Sequence, residues 1–233
     1  MKKLIINAED FGFSSKINNG IIYAHKNGIV RNASIIVTKD GFQEAVDFVK
    51  QNPQLDIGIH LDLDKFFNID HEIGLVMALI NNPLQIDEIS QEIKEQINKL
   101  KNLGINPTHI SSHHSAHLDI NIFPIVCVIA KEYNIKIVQF PERFYLNGQQ
   151  KHTEYRAILE QYNLFFIPHF IRGWYLGNID EEYAVAELVT HPGYGEIWRE
   201  HELACCCNMQ IKIYLREKDI KLTTFTDFIN SNI

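Results

Sequence analysis

Histidines and acidic residues are the side chains of this 233-residue chain with the clearest capacity for chemistry. Four histidines fall within nine residues, from His109 to His117, although the whole chain has eleven. Histidine is the commonest metal ligand in proteins. The cluster therefore favours a divalent-ion site over a purely structural role, and a partly exposed polar loop is the alternative interpretation.

Two adjacent acids, Glu9 and Asp10, follow an apolar run and precede Gly12. Two carboxylates at one strand end repel each other unless a cation shares them. A metal that uses one acid as a ligand and leaves the other as a base would explain the pair. The alternative is a solvated turn in which one of the acids caps the following helix.

Two further histidines end predicted strands: His60 follows Ile59, and His191 directly precedes Pro192. A single histidine is more often a hydrogen-bonded structural residue than a ligand, because buried polar groups need partners. The position of His191, before a turn, would nevertheless suit a general acid.

Short β-branched runs alternate with longer helical patterns, which is typical of an α/β fold with parallel strands. The clearest helical pattern places Ile89, Ile93, Ile97 and Leu100 at helical spacing before Gly104. The patterns predict strands at residues 3–8, 33–37, 56–60, 108–112, 136–139, 164–167, 186–191 and 221–224. They predict helices near 15–27, 40–51, 86–103, 120–133, 153–161, 177–184 and 198–217.

Parallel α/β folds gather their functional groups at the carboxyl ends of the strands, whether the sheet is open or closed into a barrel. Periodicity alone does not distinguish these two architectures. The candidate site residues Glu9, Asp10, His60, His113 and His191 all lie at or just after predicted strand ends. We therefore expect them to meet at one edge of the sheet.

Composition narrows the class of protein. With 45% hydrophobic and 22% charged residues, the chain can bury one sizeable core, and we expect a single domain over residues 1–233. The net charge of -7 and the scattered basic residues disfavour a nucleic-acid partner. No apolar run approaches the ~20 residues that span a bilayer, and no secretory signal is visible, so we expect a cytoplasmic protein. Residues 66–87 and 140–152 read as loops.

Four segments, at residues 7–12, 58–61, 111–117 and 191–193, together resemble the YdjC/ChbG-like carbohydrate deacetylase family. That family carries Asn-Ala-Asp-Asp-Phe-Gly, Gly-x-His-Leu, Asp-Ser-His-x-His-x-His and His-Pro-Gly in this order. The resemblance covers nearly the entire chain. It implies an irregular (β/α) barrel, similar to a TIM barrel, and an enzyme that removes acetyl groups from N-acetylated sugars with one divalent metal ion.

By this resemblance, Asp10, His60 and His113 are the metal ligands, Glu9 is the general base and His191 is the general acid. The ion would be magnesium or zinc, with manganese and cobalt as alternatives. The partner would be an N-acetylated carbohydrate, and the resemblance suggests a homodimer.

The sequence departs from the family pattern at three positions. Glu9 and Ser111 stand where aspartate is usual, and Ser115 stands where the middle histidine of the cluster is usual. Ser111, His114 and His117 are candidates for supporting the site or contacting substrate, and His117 matches the last histidine of the family cluster. A lost orienting aspartate typically costs about 10–100-fold in metal affinity or activity.

These departures keep two other functions open. One is a protein that binds a metal and a sugar with little or no catalysis. The other is a metal-dependent phosphoesterase, although such enzymes usually need more ligands, because they bind two metals.

Overall fold

The structure is a computed structural model. It describes residues 1–67, 69–70, 75–76, 83–140, 149–174 and 179–232, with the backbone alone for 69–70, 75–76, 83–84 and 149–152. Of the two predicted loops, 66–87 and 140–152, residues 68, 71–74, 77–82 and 141–148 lie outside the described residues. The prediction was wrong for part of the remainder, because 69–70 and 75–76 are strands and 83–87 and 149–152 are helical.

The described part of the chain alternates strands and helices. The strands are β1 (Lys2–Phe11), β2 (Asn32–Ile35), β3 (Asp56–Leu61), β4 (Ile69–Asp70), β5 (Leu75–Val76), β6 (His109–Ser112), β7 (Ile137–Val138), β8 (His169–Arg172), β9 (Val185–Thr190) and β10 (Ile220–Thr223). The helices are α1 (Ser15–Asn27), α2 (Phe42–Gln51), α3 (Pro83–Lys101), α4 (Phe123–Glu132), α5 (Gln149–Gln161), α6 (Ile197–Cys207), α7 (Met209–Glu217) and α8 (Phe225–Asn232).

The main sheet is parallel and runs in the order β7-β6-β3-β2-β1-β9-β8. Strand β10 pairs with the first residues of β1, while β2 pairs with its later residues. A parallel bridge between Ile137 and Phe165 links β7 to the segment before β8, so the two ends of the sheet approach each other. The expected irregular (β/α) barrel is confirmed, and the open sheet is not.

The amino-terminal end of the barrel is filled by apolar side chains from different elements. Ile5, Ile137, Ile167 and Phe225 form one buried cluster there. The larger core lies between the sheet and the helices. Burial of this kind stabilises by about 25 cal/mol per Å² of apolar surface, and it fixes the strands whose opposite ends carry the polar residues.

Helix α3 forms as its pattern predicts. Ile89, Ile93, Ile97 and Leu100 are all fully buried, as expected for one face of a helix against the sheet. The chain turns at Gly104, whose φ of +81° is accessible to glycine at little cost. None of the described helices is both long and apolar enough to cross a membrane.

The prediction of a strand at 164–167 was wrong in position. Within that segment Phe165 makes only an isolated bridge, and the regular strand β8 begins after Pro168. Proline lacks the N–H group that a sheet ladder requires, so the pairing is interrupted there.

Two helix predictions also need correction. Residues 198–217 form two helices rather than one, because Asn208 ends α6 and its side chain accepts a hydrogen bond from the Gln210 backbone N–H, capping α7. In the predicted helix at 177–184, residues 181–184 are not helical. The Ala184 carbonyl accepts from the Lys3 N–H, so this segment enters β9 beside β1.

Candidate metal and catalytic site

A bulge at the end of β1 brings the two adjacent acids to the same cavity. Neighbouring residues of a regular strand face opposite sides of the sheet. Here the pairing of β1 with β2 shifts register between Ala8 and Phe11, and Asp10 has a φ of 65°. Both Glu9 and Asp10 therefore line one cavity, and backbone strain of this kind is frequent at functional sites.

Asp10 lies between two histidines from neighbouring strands. Its Oδ1 atom is 3.0 Å from His113 Nδ1 and 3.4 Å from His60 Nε2, and these atoms lie within 4.8 Å of one another. Oδ1 is buried and has no hydrogen-bond partner among the residues that the structure describes. A buried carboxylate oxygen without a partner is costly. Two imidazole nitrogens and this oxygen suit a divalent cation, and they leave further positions for water and substrate.

Arg199 holds the other oxygen of the same carboxylate. Its Nη2 donates to Asp10 Oδ2 at 2.7 Å, and its Nε donates to Glu196 at 2.6 Å. Burial alone would raise the pKa of Asp10, but the close contacts of its carboxylate with His113 and His60 hold that pKa well below its usual value. The Asp10 carboxylate is therefore ionised. Its Oδ2 atom is bound by Arg199, and its Oδ1 atom faces the two histidines.

Ser111 contacts the far side of one ligand candidate. Its Oγ lies 2.7 Å from His60 Nδ1, so that Nε2 of the ring faces Asp10. Such a partner fixes the orientation of a ligating imidazole. The family pattern has an aspartate at this position, and in this chain the Ser111 hydroxyl contacts the His60 ring instead.

The four clustered histidines have different surroundings. His113 joins the Asp10 group, while His114 Nδ1 lies 3.0 Å from Asp64 Oδ1. The φ angles of His114 and Ser115 are 52° and 56°, so the chain turns sharply after His113. Asp64, His113 and His114 form a second group that could hold an ion, with His113 common to both groups.

His117 is directed away from both groups and ties two parts of the barrel together. Its Nδ1 lies 2.6 Å from Ser112 Oγ, and its Nε2 lies 2.8 Å from the Gln139 carbonyl oxygen. Burial lowers the pKa of His117 to about 4. As a neutral ring, it anchors the turn after β6 to the end of β7, which is a supporting position.

His109, the first of the cluster, packs inside the barrel. Its Nε2 lies 2.9 Å from Ser34 Oγ, and burial lowers its pKa to about 3. A Cβ on Gly58 would lie 2.3 Å from the His109 ring, so glycine at this position makes room for the imidazole. His109 is therefore a structural residue beneath the site.

Glu9 and His191 face each other across the cavity floor. Glu9 Oε2 lies 3.5 Å from His191 Nε2, and Gln139 Nε2 donates to Glu9 Oε1 at 2.9 Å. Burial raises the pKa of Glu9, but the charge of His60 and the contact with His191 outweigh it and lower the pKa to about 2. Glu9 is therefore an ionised carboxylate at neutral pH.

Glu202 supports His191 from behind. Its Oε2 lies 3.6 Å from His191 Nδ1, accepts from the His191 backbone N–H, and accepts from Thr190 Oγ1 at 2.8 Å. Burial lowers the pKa of His191, but the contacts with Glu202 and Glu9 and the charge of Asp10 raise it to about 10. The imidazole is therefore protonated at neutral pH.

Glu187 lies deeper in the barrel, behind Glu9. It is 1% exposed and accepts hydrogen bonds from Asn7 at 3.2 Å and from Gln139 at 2.9 Å. Burial raises its pKa to about 8, in spite of the hydrogen bond from Gln139. At neutral pH the amide of Gln139 thus bridges a charged carboxylate and a neutral one.

The turn after His191 packs directly on helix α1. A Cβ on Gly20 would lie 2.5 Å from the Cα of Gly193, so the helix and the turn meet backbone to backbone. A residue with a side chain at Gly20 would push the turn away. This close approach holds His191 over the cavity.

The cavity above these groups has a volume of about 870 Å³, in the range of small-molecule sites. Its wall contains both tryptophans of the chain, Trp174 and Trp198. Arg172 and Phe170 from β8 lie on the same wall. The space is large enough for a sugar ring with its substituents.

Sequence reasoning missed several residues that contact the acids and histidines of the site. Arg199 and Glu202 lie on α6, the helix that follows His191. Their i, i+3 spacing places both side chains on one face of that helix. That spacing was the available signal. Gln139 and Glu187 had no local signal, because their roles depend on side chains that meet across the barrel.

Comparison with known proteins agrees with this architecture. The sequence profile of the family described as YdjC-like protein matches residues 3–217. A carbohydrate deacetylase from Brevibacillus brevis is 31% identical, over 97% of this chain and 99% of that protein. A carbohydrate deacetylase from Clostridium beijerinckii is likewise 31% identical, with the same coverage.

Solved structures share the fold at lower identity. A candidate cellobiose-phosphate cleavage protein from Enterococcus faecalis V583 superposes with a TM-score of 0.79 at 22% identity, covering 97% of this chain and 98% of that one. A family 4 carbohydrate esterase from Streptomyces lividans has a TM-score of 0.52 at 10% identity, covering 96% and 92%. At these identities the likeness concerns the fold alone.

Proposed function

Because this chain belongs to the YdjC-like protein family, we propose that it is a metal-dependent carbohydrate deacetylase that removes an acetyl group from an N-acetylated sugar. The relatives named carbohydrate deacetylase, which match almost the full length of the chain, support the reaction class.

The observation that carries the proposal is the surroundings of Asp10 Oδ1. This buried oxygen has no hydrogen bond within the described ranges of the chain, and it lies between His113 Nδ1 and His60 Nε2. The three side chains would hold one divalent ion, which would be magnesium or zinc, or alternatively manganese or cobalt. When bound, the ion supplies the Lewis acidity that amide hydrolysis needs.

Glu9 is the general base. Its carboxylate is ionised at neutral pH, and Gln139 fixes one of its oxygens. The other oxygen, Oε2, is left to take a proton from the attacking water. Gln139 thus orients the base without neutralising it.

His191 is the general acid. The departing sugar nitrogen is too basic to leave as an anion, so it needs a proton as the C–N bond breaks. His191 is protonated at neutral pH because Glu202 and Glu9 flank it. It donates that proton, and its position against Glu9 would allow the imidazole to be reprotonated for the next turnover.

The test is acetate release from a panel of N-acetylated mono- and oligosaccharides, with metal-stripped protein and each metal added back. We expect release only with metal, and at least about 100-fold less release from Glu9→Gln and from His191→Asn, because general bases and acids contribute on that scale. Stoichiometric metal binding without acetate release would contradict the proposal and favour a non-catalytic sugar-binding protein. Release of phosphate from model esters would favour a phosphoesterase.

A further inference from the structure

The two tryptophans of the cavity wall differ in side-chain hydrogen bonding and in exposure. Trp174 is fixed, because its Nε1 donates to Thr190 Oγ1 at 2.9 Å. Trp198 lies on the first turn of α6, is 48% exposed, and makes no side-chain hydrogen bond within the described part of the chain. About half of the Trp198 surface is therefore open where the residue lines the cavity, so a ligand in the cavity can contact it.

The position of Trp198 relates it to the proposed acid. Its ring lies 5.7 Å from the His191 ring at an interplanar angle of 60°. The Arg199 guanidinium lies 4.2 Å from the indole centroid. Arg199 is itself 6% exposed and bonds to Asp10, so Trp198 lies against a buried cation and keeps surface for a ligand.

We propose that Trp198 is a stacking platform for the pyranose ring that carries the acylated nitrogen. This inference rests on the proposed deacetylase function and names how the same site recognises its substrate. A sugar whose nitrogen receives a proton from His191 has its ring beside that imidazole, and hence beside the indole. The C–H face of a pyranose packs on an aromatic face, and the indole N–H is available to a sugar hydroxyl.

A platform of this kind binds the ground state and the transition state alike. Its removal should therefore raise KM and leave kcat nearly unchanged. Trp198→Phe retains a flat aromatic face, whereas Trp198→Leu retains apolar cover near Arg199 without one. Comparing the two variants distinguishes an effect of the aromatic face from an effect of apolar surface over Arg199. Circular dichroism verifies that both variants fold.

The kinetic test uses acetate release from an N-acetylglucosamine oligosaccharide. We expect Trp198→Leu to raise KM about tenfold and Trp198→Phe by no more than about threefold, the range that aromatic contacts supply. In both variants kcat should stay within about twofold of wild type. An unchanged KM in Trp198→Leu would overturn the platform, even though the deacetylase reaction itself would stand.

A binding test separates this inference from the reaction. The chain has two tryptophans, so its ¹H–¹⁵N spectrum contains two indole N–H signals, and the signal that Trp198→Phe removes belongs to Trp198. Adding the same oligosaccharide to metal-stripped protein should shift that signal in a saturable manner. If the signal shifts but no metal restores acetate release, the proposed reaction fails and the platform stands. A Trp198 signal that does not move at saturating sugar would overturn the platform.

Discussion

Ser111 Oγ lies 2.7 Å from His60 Nδ1, on the side of the imidazole opposite to Asp10. The family pattern carries an aspartate at position 111, and in this chain a neutral hydroxyl contacts the His60 ring from that position. A hydroxyl fixes the ring as a carboxylate would, but it adds no negative charge to the imidazole.

Metal affinity should therefore depend on Ser111. Ser111→Ala removes the partner of His60 Nδ1 and should weaken metal binding by about tenfold, whereas Ser111→Asp should strengthen it by a similar factor. Competition with a chromophoric chelator measures the three dissociation constants. Equal constants for wild type and both variants would show that Ser111 does not orient a metal ligand.

Glutamate at position 9 should give a higher kcat than aspartate would in this site. Its longer side chain reaches both Gln139 at 2.9 Å and His191 at 3.5 Å. Glu9→Asp withdraws the carboxylate by one methylene and should lower kcat by about 100-fold, since displacements near 1 Å cost on that order. The measurement is kcat for acetate release. An increase in kcat in Glu9→Asp would contradict this prediction. It would indicate that glutamate, in place of the aspartate of the family pattern, impairs the reaction.

The alkaline limit of activity should follow His191. The imidazole must be protonated to donate, so activity should fall as pH rises through its pKa, which Glu202 and Glu9 raise to about 10. Glu202→Gln removes one of the two flanking charges and should move the alkaline limb to lower pH by about one unit. The readout is the pH profile of kcat.

Glu200 provides a matched control for that experiment. It lies on the same helix and accepts from the Gly195 backbone N–H, away from His191. Glu200→Gln should leave the alkaline limb where it is. An equal displacement in both variants would mean that general surface charge, rather than the contact of Glu202 with His191, sets the limb.

The buried acid Glu187 should make stability depend on pH. The unfolded chain ionises this residue near its ordinary pKa of about 4.3, whereas the folded protein keeps the proton until about pH 8. The folded state therefore binds more protons in that window, and the free energy of unfolding should fall as pH rises through it, by a few kcal/mol in order of magnitude.

Glu187→Gln is neutral in both states and should lack this component of the pH dependence. Urea unfolding at pH 5 and pH 8 measures the difference, with Glu182→Gln as an exposed control. If wild type and Glu187→Gln lose the same stability between these pH values, then Glu187 does not keep its proton in the folded protein.

Sequence patterns predicted the features that are determined by residues close together in the chain, such as the helices and their buried faces. Helix α1 has the predicted bounds, and the buried face of α3 contains the isoleucines whose spacing predicted it. Asp10, His60 and His113 come together because the carboxyl ends of all strands in a parallel sheet lie at the same edge.

Other features depended on interactions between distant segments. The bond from Arg199 to Asp10 joins residues 189 positions apart, and the bulge at Asp10 arises in the pairing of β1 with β2. A helical pattern carries no information about such contacts. The break at Asn208 was visible in principle, since asparagine favours helix caps, but the apolar periodicity on both sides concealed it. Residue type alone did not distinguish the four clustered histidines. The family resemblance singled out His113, and the fold gives each ring different partners.

The most direct test of the whole account is a zinc titration of metal-stripped protein, followed by acetate release from the best N-acetylated substrate. We expect the rate to rise linearly to one equivalent and then remain constant. His113→Ala should give no release at any zinc concentration, whereas His114→Ala should retain the breakpoint at one equivalent. Release without metal, or a breakpoint at two equivalents that His114→Ala abolishes, would contradict a single ion held by Asp10, His60 and His113.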